Sequence, residues 1–216
     1  MKKTLIAALL AALIAPTLSG CVAAVATGAT AGALAVMDRR TFGTQTEDEG
    51  IEWKILGNLM NKYGDKVHVN QTSYNRKVLL TGEVPDEKTK EDIERMVRGI
   101  SGVQDVWNEL QIGPVSTFQN RSNDAYITSK VKSRSIDVGK FNPVHVKVVT
   151  EAGTVFLLGL VTQAEADSAV QVARTTAGVK KVVNVMEIIT PEKAKSLDIP
   201  PPDSNSTQHP APVKGD

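Results

Sequence analysis

The chain has 216 residues, with 25 Lys and Arg against 24 Asp and Glu, a formal net charge of +1 and 41% hydrophobic residues. That balance excludes a polycationic nucleic-acid binder, and the length suits one medium domain or two small ones. The single cysteine, Cys21, excludes an intrachain disulfide and any paired-cysteine metal motif.

At the start, Lys2 and Lys3 precede an apolar run from Leu5 to Ala15, which Pro16 ends. This is a secretory signal over residues 1–20, too short to span a bilayer. Its last residues, Leu18-Ser19-Gly20-Cys21, resemble the bacterial lipobox, in which the cysteine is lipidated on sulfur and acylated on its new amino group. Val22 follows, not the aspartate of the inner-membrane sorting rule, so the expected destination is the outer membrane, facing the periplasm. Several acyl chains make such a tether permanent, at about 0.8 kcal/mol per buried CH2. Removal of residues 1–20 takes two lysines away and leaves 23 bases against 24 acids, a net charge of −1. From Val22 to Val36 the chain is small and apolar, interrupted by Gly28 and Gly32, and residues 21–46 read as a flexible tether.

The middle of the chain repeats. "VLLTGEVPDEKTKEDIERMVRGISGVQDVWNELQI" (Val78 to Ile112) matches "VFLLGLVTQAEADSAVQVARTTAGVKKVVNVMEII" (Val155 to Ile189). Gly82 and Gly159 stand 77 apart, Gly102 and Gly178 as well as Asn108 and Asn184 76 apart, so one deletion ahead of the helix reconciles the offsets. Each copy reads as helix, strand, strand, helix, strand. In the first, Ile51, Ile55, Leu56 and Leu59 share a helical face that Trp53 lies off. Val67, Val69 and then Val78, Leu80 alternate as two strands across "SYNRK". Ile93, Met96, Val97 and Ile100 form a second helix after "PDE", closed by Gly99 and Gly102, and "VQDVWNELQI" returns as a strand. In the second copy Ala166, Ala169, Val170, Ala173 and Ala177 mark the helix, and "EAGT" the turn.

The strand-helix-strand crossover is right-handed and makes its two strands parallel, while the preceding hairpin is antiparallel. The expected class is α+β: two tandem αββαβ units over 47–115 and 121–190, each a small mixed three-stranded sheet with two helices on one face. Units this small gain by packing together. Residues 191–216 hold six of the ten prolines and read as a disordered tail.

At "VLLTGEV…GISGVQDVWNEL" and "VFLLGLV…TAGVKKVVNV" the sequence resembles the BON domain. With the lipobox and "MDRRTFGTQTED" (Met37 to Asp48), it is similar to outer-membrane lipoproteins that carry two such domains. The resemblance implies a protein that binds phospholipid, preferably anionic, and supports outer-membrane integrity, with no enzymatic activity and no cofactor. The alternative is a periplasmic scaffold that docks an envelope protein, with the lipid tether as its membrane contact.

Charge separates the two first helices. Residues 47–66 hold five acids and three bases, whereas residues 121–140 hold five bases and two acids. An anionic bilayer favours the second, by about 1 kcal/mol per Lys or Arg near its surface. In "NDAYITSKVKSRSID", Asn123 or Asp124 is suited to cap the helix. Tyr126, Lys130 and Arg134 form one stripe with Ser133 beside it, and Ile127 and Val131 an adjacent apolar one. That pattern fits an interfacial helix, with Ser129 and Ile136 as secondary contacts. The competing reading packs Ile127 and Val131 on the sheet and leaves the bases solvated. On the lipid reading, charge reversal at Lys130 and Arg134 removes binding and leaves the fold intact.

No catalytic motif is present: there is no Gly-x-Ser-x-Gly, phosphate loop or His-Glu-x-x-His. His68 and His145 read as exposed strand positions without a carboxylate at ligand spacing, and no metal ligand is assigned.

Overall fold

The computed structural model describes residues 38–198. The first unit runs α1 (Phe42–Tyr63), β1 (His68–Tyr74), β2 (Lys77–Val84), α2 (Glu87–Arg98), β3 (Asp105–Asn108) and β4 (Gln111–Ile112). The second runs α3 (Phe118–Val138), β5 (Val146–Glu151), β6 (Thr154–Val161), α4 (Gln163–Arg174), β7 (Lys181–Asn184) and β8 (Glu187–Ile188). A further helix, α5, spans Pro191–Asp198.

In each unit the hairpin is antiparallel and the returning strand is parallel to the central one. That strand comes in two pieces: β3 and β4 both pair with β2, and β7 and β8 both pair with β6. The three-stranded expectation therefore becomes four short strands per sheet. The matched asparagines explain the break. The side-chain carbonyl of Asn108 accepts from Leu110 N at 3.3 Å, and that of Asn184 from Met186 N at 2.9 Å, so each interrupts its strand by turning back on the chain.

Period-two burial splits each central strand between two cores. Val78, Leu80 and Val84 pack under α1 and α2 with Ile51, Ile55, Leu59, Ile93 and Val97. Val155, Leu157 and Val161 pack under α3 and α4 with Ile127, Val131, Ala166 and Ala173. The alternate residues face the other unit: Tyr74 and Leu79 meet Phe156, Leu158, Leu160 and Val185 in a third apolar core. Two sheets thus pack face to face, helices outward.

The hairpin turns need φ > 0 at both central residues, a conformation costly for side chains. They are Asn75 and Arg76 (φ 52 and 64°), and Ala152 and Gly153 (φ 50 and 80°). A buried aspartate holds each turn. Asp48 of α1 accepts from Asn75 N at 2.8 Å, Arg76 N at 2.7 Å and the Ser73 hydroxyl at 2.7 Å. Asp124 of α3 accepts from Ala152 N and Gly153 N, both at 2.9 Å. Asp124 is therefore no helix cap: α3 begins three residues before the expected 121, capped by Thr117, which accepts from Asn120 N.

Both flanks differ from expectation. Within the tether assigned to 21–46, α1 already starts at Phe42, and Arg39 and Arg40 are fastened. Arg40 pairs with Asp38 and Asp48 and lies 4.0 Å above the Tyr74 ring. Arg39 is buried in the second unit, donating to Leu160 O, Glu165 and Asp198, each at 2.8 Å. Within the tail assigned to 191–216, Pro191–Asp198 is helical, with Ala194 buried and Asp198 held by Arg39. The histidines also depart from the exposed expectation. His145 is buried between Glu165 and Asp198, and His68 is half-buried against Glu83.

Candidate functional site

Helix α3 carries the residues the sequence singles out, and the structure divides them. Ile127 and Val131, each 1% exposed, point into the core of the second unit; this corrects their assignment as lipid contacts. Tyr126 (62%) and Ile136 (67%) point outward, as do Ser129 and Ser133. Phe118, 79% exposed, lies on the same outward side, a whole number of turns before Ile136. The outer face of α3 therefore presents Phe118, Tyr126 and Ile136 interspersed with serines and the exposed Lys132.

Phe118 escapes a reading that starts the helix at 121, yet the repeat contains its signal. Thr117-Phe118 and Asp124 stand 76 residues after Thr41-Phe42 and Asp48, the offset that also relates Gly102 to Gly178 and Asn108 to Asn184. The same comparison marks Asp48 and Asp124 as one structural position.

Lys130 and Arg134 are half-buried and bonded. Lys130 Nζ lies 4.6 Å from the Tyr126 ring centroid and donates to Ala177 O. Arg134 donates to Val172 O at 3.1 Å and to the Thr176 hydroxyl at 2.7 Å. Both cations so satisfy carbonyls at the C-terminal end of α4, where the helix dipole favours positive charge. The expectation that reversing their charge leaves the fold intact is corrected: these side chains tie α3 to α4. Beyond them, Arg174, Lys180 and Lys181 border an open cavity of about 370 Å³. At the apolar outer face of α3 itself, Lys130 against Tyr126 and the exposed Lys132 supply the positive charge.

The corresponding face of α1 is different. Phe42, Trp53 (71% exposed) and Met60 fall on one outward stripe beside Gly50 and Gly57, on a helix that carries four acids against two bases. Cys21 lies outside the described residues. Among those residues no helix is long and apolar enough to cross a membrane.

Comparison with known proteins accounts for the duplication. A BON-domain family profile matches residues 48–114 and 123–190. The chain is 40% identical to outer membrane lipoprotein DolP of Haemophilus influenzae over 174 residues, 80% of this chain and 90% of the relative. It is 35% identical to a 21 kDa hemolysin of Actinobacillus pleuropneumoniae, covering 71% of this chain and 80% of the relative. Osmotically-inducible protein Y of Escherichia coli shares 27% over 66% of this chain and 73% of its own length. The BON-domain relatives of the DolP and osmotically-inducible protein Y kind are non-enzymatic. With two matched segments, a duplicated fold and an outer membrane lipoprotein as homologue, the chain belongs to the BON-domain family.

Proposed function

We propose that the protein is held at the periplasmic side of the outer membrane by acyl chains on Cys21, and that α3 of its second domain lies on anionic phospholipid. The observation that carries this reading is the outer face of α3: Phe118, Tyr126 and Ile136 exposed together, with Lys130 against the Tyr126 ring and Lys132 exposed on the same helix. Apolar and aromatic side chains at headgroup depth, ringed by cations that reach phosphates, are what an interfacial helix needs. Ile127 and Val131 support it from beneath as core, so the contact set is Tyr126, Ser129, Ser133 and Ile136 with Phe118 added.

The test is co-sedimentation with vesicles containing phosphatidylglycerol, using a soluble chain that begins at Val22 so that Arg39 and Arg40 keep their partners. Binding is expected without acyl chains, reduced at least about tenfold by Tyr126→Asp with Ile136→Asp, and weakened by salt. Both positions are exposed, so the far-ultraviolet spectrum stays unchanged. Equal binding by the double variant would reject α3 as the contact.

A second reading rests on α1. The outward stripe of Phe42, Trp53 and Met60 on an acidic helix suits a protein partner of the envelope more than an anionic bilayer. Trp53→Ala that removes a cross-linked partner while leaving vesicle binding intact would assign the two faces separately.

A further inference from the structure

The seam between the two sheets is apolar at one end and polar at the other. At the polar end His68 opens β1 directly opposite Glu83 of β2. Alternation places both, with Asn70 and Thr81, on the face turned to the second domain. From that domain Glu151, the last residue of β5, reaches across and accepts from Asn70 Nδ2 at 2.8 Å. His68 Nδ1 lies 2.9 Å from Glu83 Oε2, and one ligand atom each of His68, Glu83 and Glu151 lie within 4.8 Å of one another. Both carboxylates are buried.

Two buried carboxylates need a compensating charge. Among the described residues neither Glu83 nor Glu151 forms an ion pair with Lys or Arg. The cations that line the same cavities bond backbone carbonyls instead: Arg121 donates to Ser116 O at 3.0 Å and Lys180 to Ala152 O at 3.3 Å. The duplication provides an internal control. His145, the counterpart of His68, also stands by two carboxylates, 3.9 Å from Glu165 and 3.6 Å from Asp198. There the guanidinium of Arg39 bonds both acids. Beside the counterpart histidine, acids drawn from other positions are thus neutralised by a built-in guanidinium, whereas beside His68 no Lys or Arg among the described residues does so.

We propose that His68, Glu83 and Glu151 bind one divalent transition cation of the zinc class, which bridges the two domains. One imidazole nitrogen with two carboxylate oxygens is a three-ligand set that zinc accepts with water in the fourth position, and the imidazole disfavours magnesium or calcium. The secondary partners are in place. Asn70 orients Glu151, and Ser116 N donates to Glu83 at 3.1 Å. Cavities of about 380 and 340 Å³ open on the two sides of the cluster, one bordered by His68 and Glu151 and the other by Glu83, and they give a hydrated ion access. Spacing along the chain does not reveal the site. Here one carboxylate comes from the hairpin partner and the other from the opposite domain. Any proton on the ligating nitrogen or carboxylates leaves for solvent as the ion binds.

The full lipidated chain, stripped with chelator and held in detergent micelles at neutral pH, is titrated with Zn2+ against a chromophoric chelator. One equivalent is expected in the wild type and in His145→Gln, and it is lost in Glu151→Gln and in His68→Gln. Added Zn2+ should raise the melting temperature of the first pair and not of the second. No bound equivalent in the wild type overturns the proposal, as does an equivalent retained by Glu151→Gln and His68→Gln. Should those variants fail to fold, proton spectra of the wild-type histidines decide. Zn2+ must shift the His68 ring resonances at one equivalent, and a shift confined to His145 or His209 overturns the assignment.

Discussion

Arg39 ties the segment leading into the first domain to the second. Burial works against its charge, yet bonds to Asp198 and Glu165 raise its pKa and keep it protonated. Burial likewise pushes Glu165 upward, but Arg39 and the Thr162 backbone outweigh it and hold the carboxyl at about 2. Asp198 is lowered too, first by its bond from Arg39. A folded-state pKa below the unfolded one means stability that is fully present above the unfolded value, 4.5 for Glu165, and is lost as pH falls toward about 2. Arg39→Gln should therefore cost about 2 kcal/mol at neutral pH, less than for a wholly buried pair because the Asp198 side chain stays 41% exposed. It should also flatten the decline in stability between neutral pH and about pH 3. Urea unfolding at both pH values reads this; equal midpoints in variant and wild type would contradict it.

At the scale of elements, the glycines separate into those that geometry demands and those it tolerates. A Cβ on Gly82 would lie 2.1 Å from His68 O, and on Gly159 2.3 Å from His145 O, so the central strand passes its hairpin partner too closely for any side chain. Gly57, inside α1, faces open space. Gly82→Ala should prevent the first domain from folding natively, whereas Gly57→Ala should stabilise it by about 0.5–1 kcal/mol. Thermal melts of the two variants test the pair, and a native-like melt for Gly82→Ala would refute the close-approach account. These elements show what was legible in the sequence. Helix periodicity at Ile51, Ile55 and Leu59, and the spacing of Gly82 from Gly159, gave the duplicated αββαβ order, because burial and backbone crowding act on local patterns. What was not legible depends on contacts far along the chain. Ile127 and Val131 form a stripe equally suited to a membrane or a core, and only the sheet beneath them decides. The helix α5 is hidden at the start of a proline-rich stretch because the residue that fastens its Asp198, Arg39, stands some 160 residues earlier.

For the whole molecule, the seam is what makes two marginal domains one body. Tyr74 and Leu79 on one sheet and Phe156, Leu158 and Leu160 on the other alternate with residues of the separate cores, so each central strand serves its own domain and the joint between them. Outside the apolar patch, Glu187 accepts from Lys77 at 2.8 Å, and the leading segment sends Arg39 to one domain and Arg40 to the other. Coupling of this kind predicts a single cooperative unfolding transition for both domains. Leu158 belongs to the seam and not to the core of the second domain, so its truncation separates docking from folding. Leu158→Ala should cost about 3 kcal/mol, charged entirely to the docked state. Calorimetry should then resolve two transitions in place of one, and native-state hydrogen exchange should show weakened protection across both sheets but retained protection in α2 and α4. Two transitions in the wild type, or a single one lowered as a whole in the variant with both helices losing protection together, would mean that the domains are not joined through this seam.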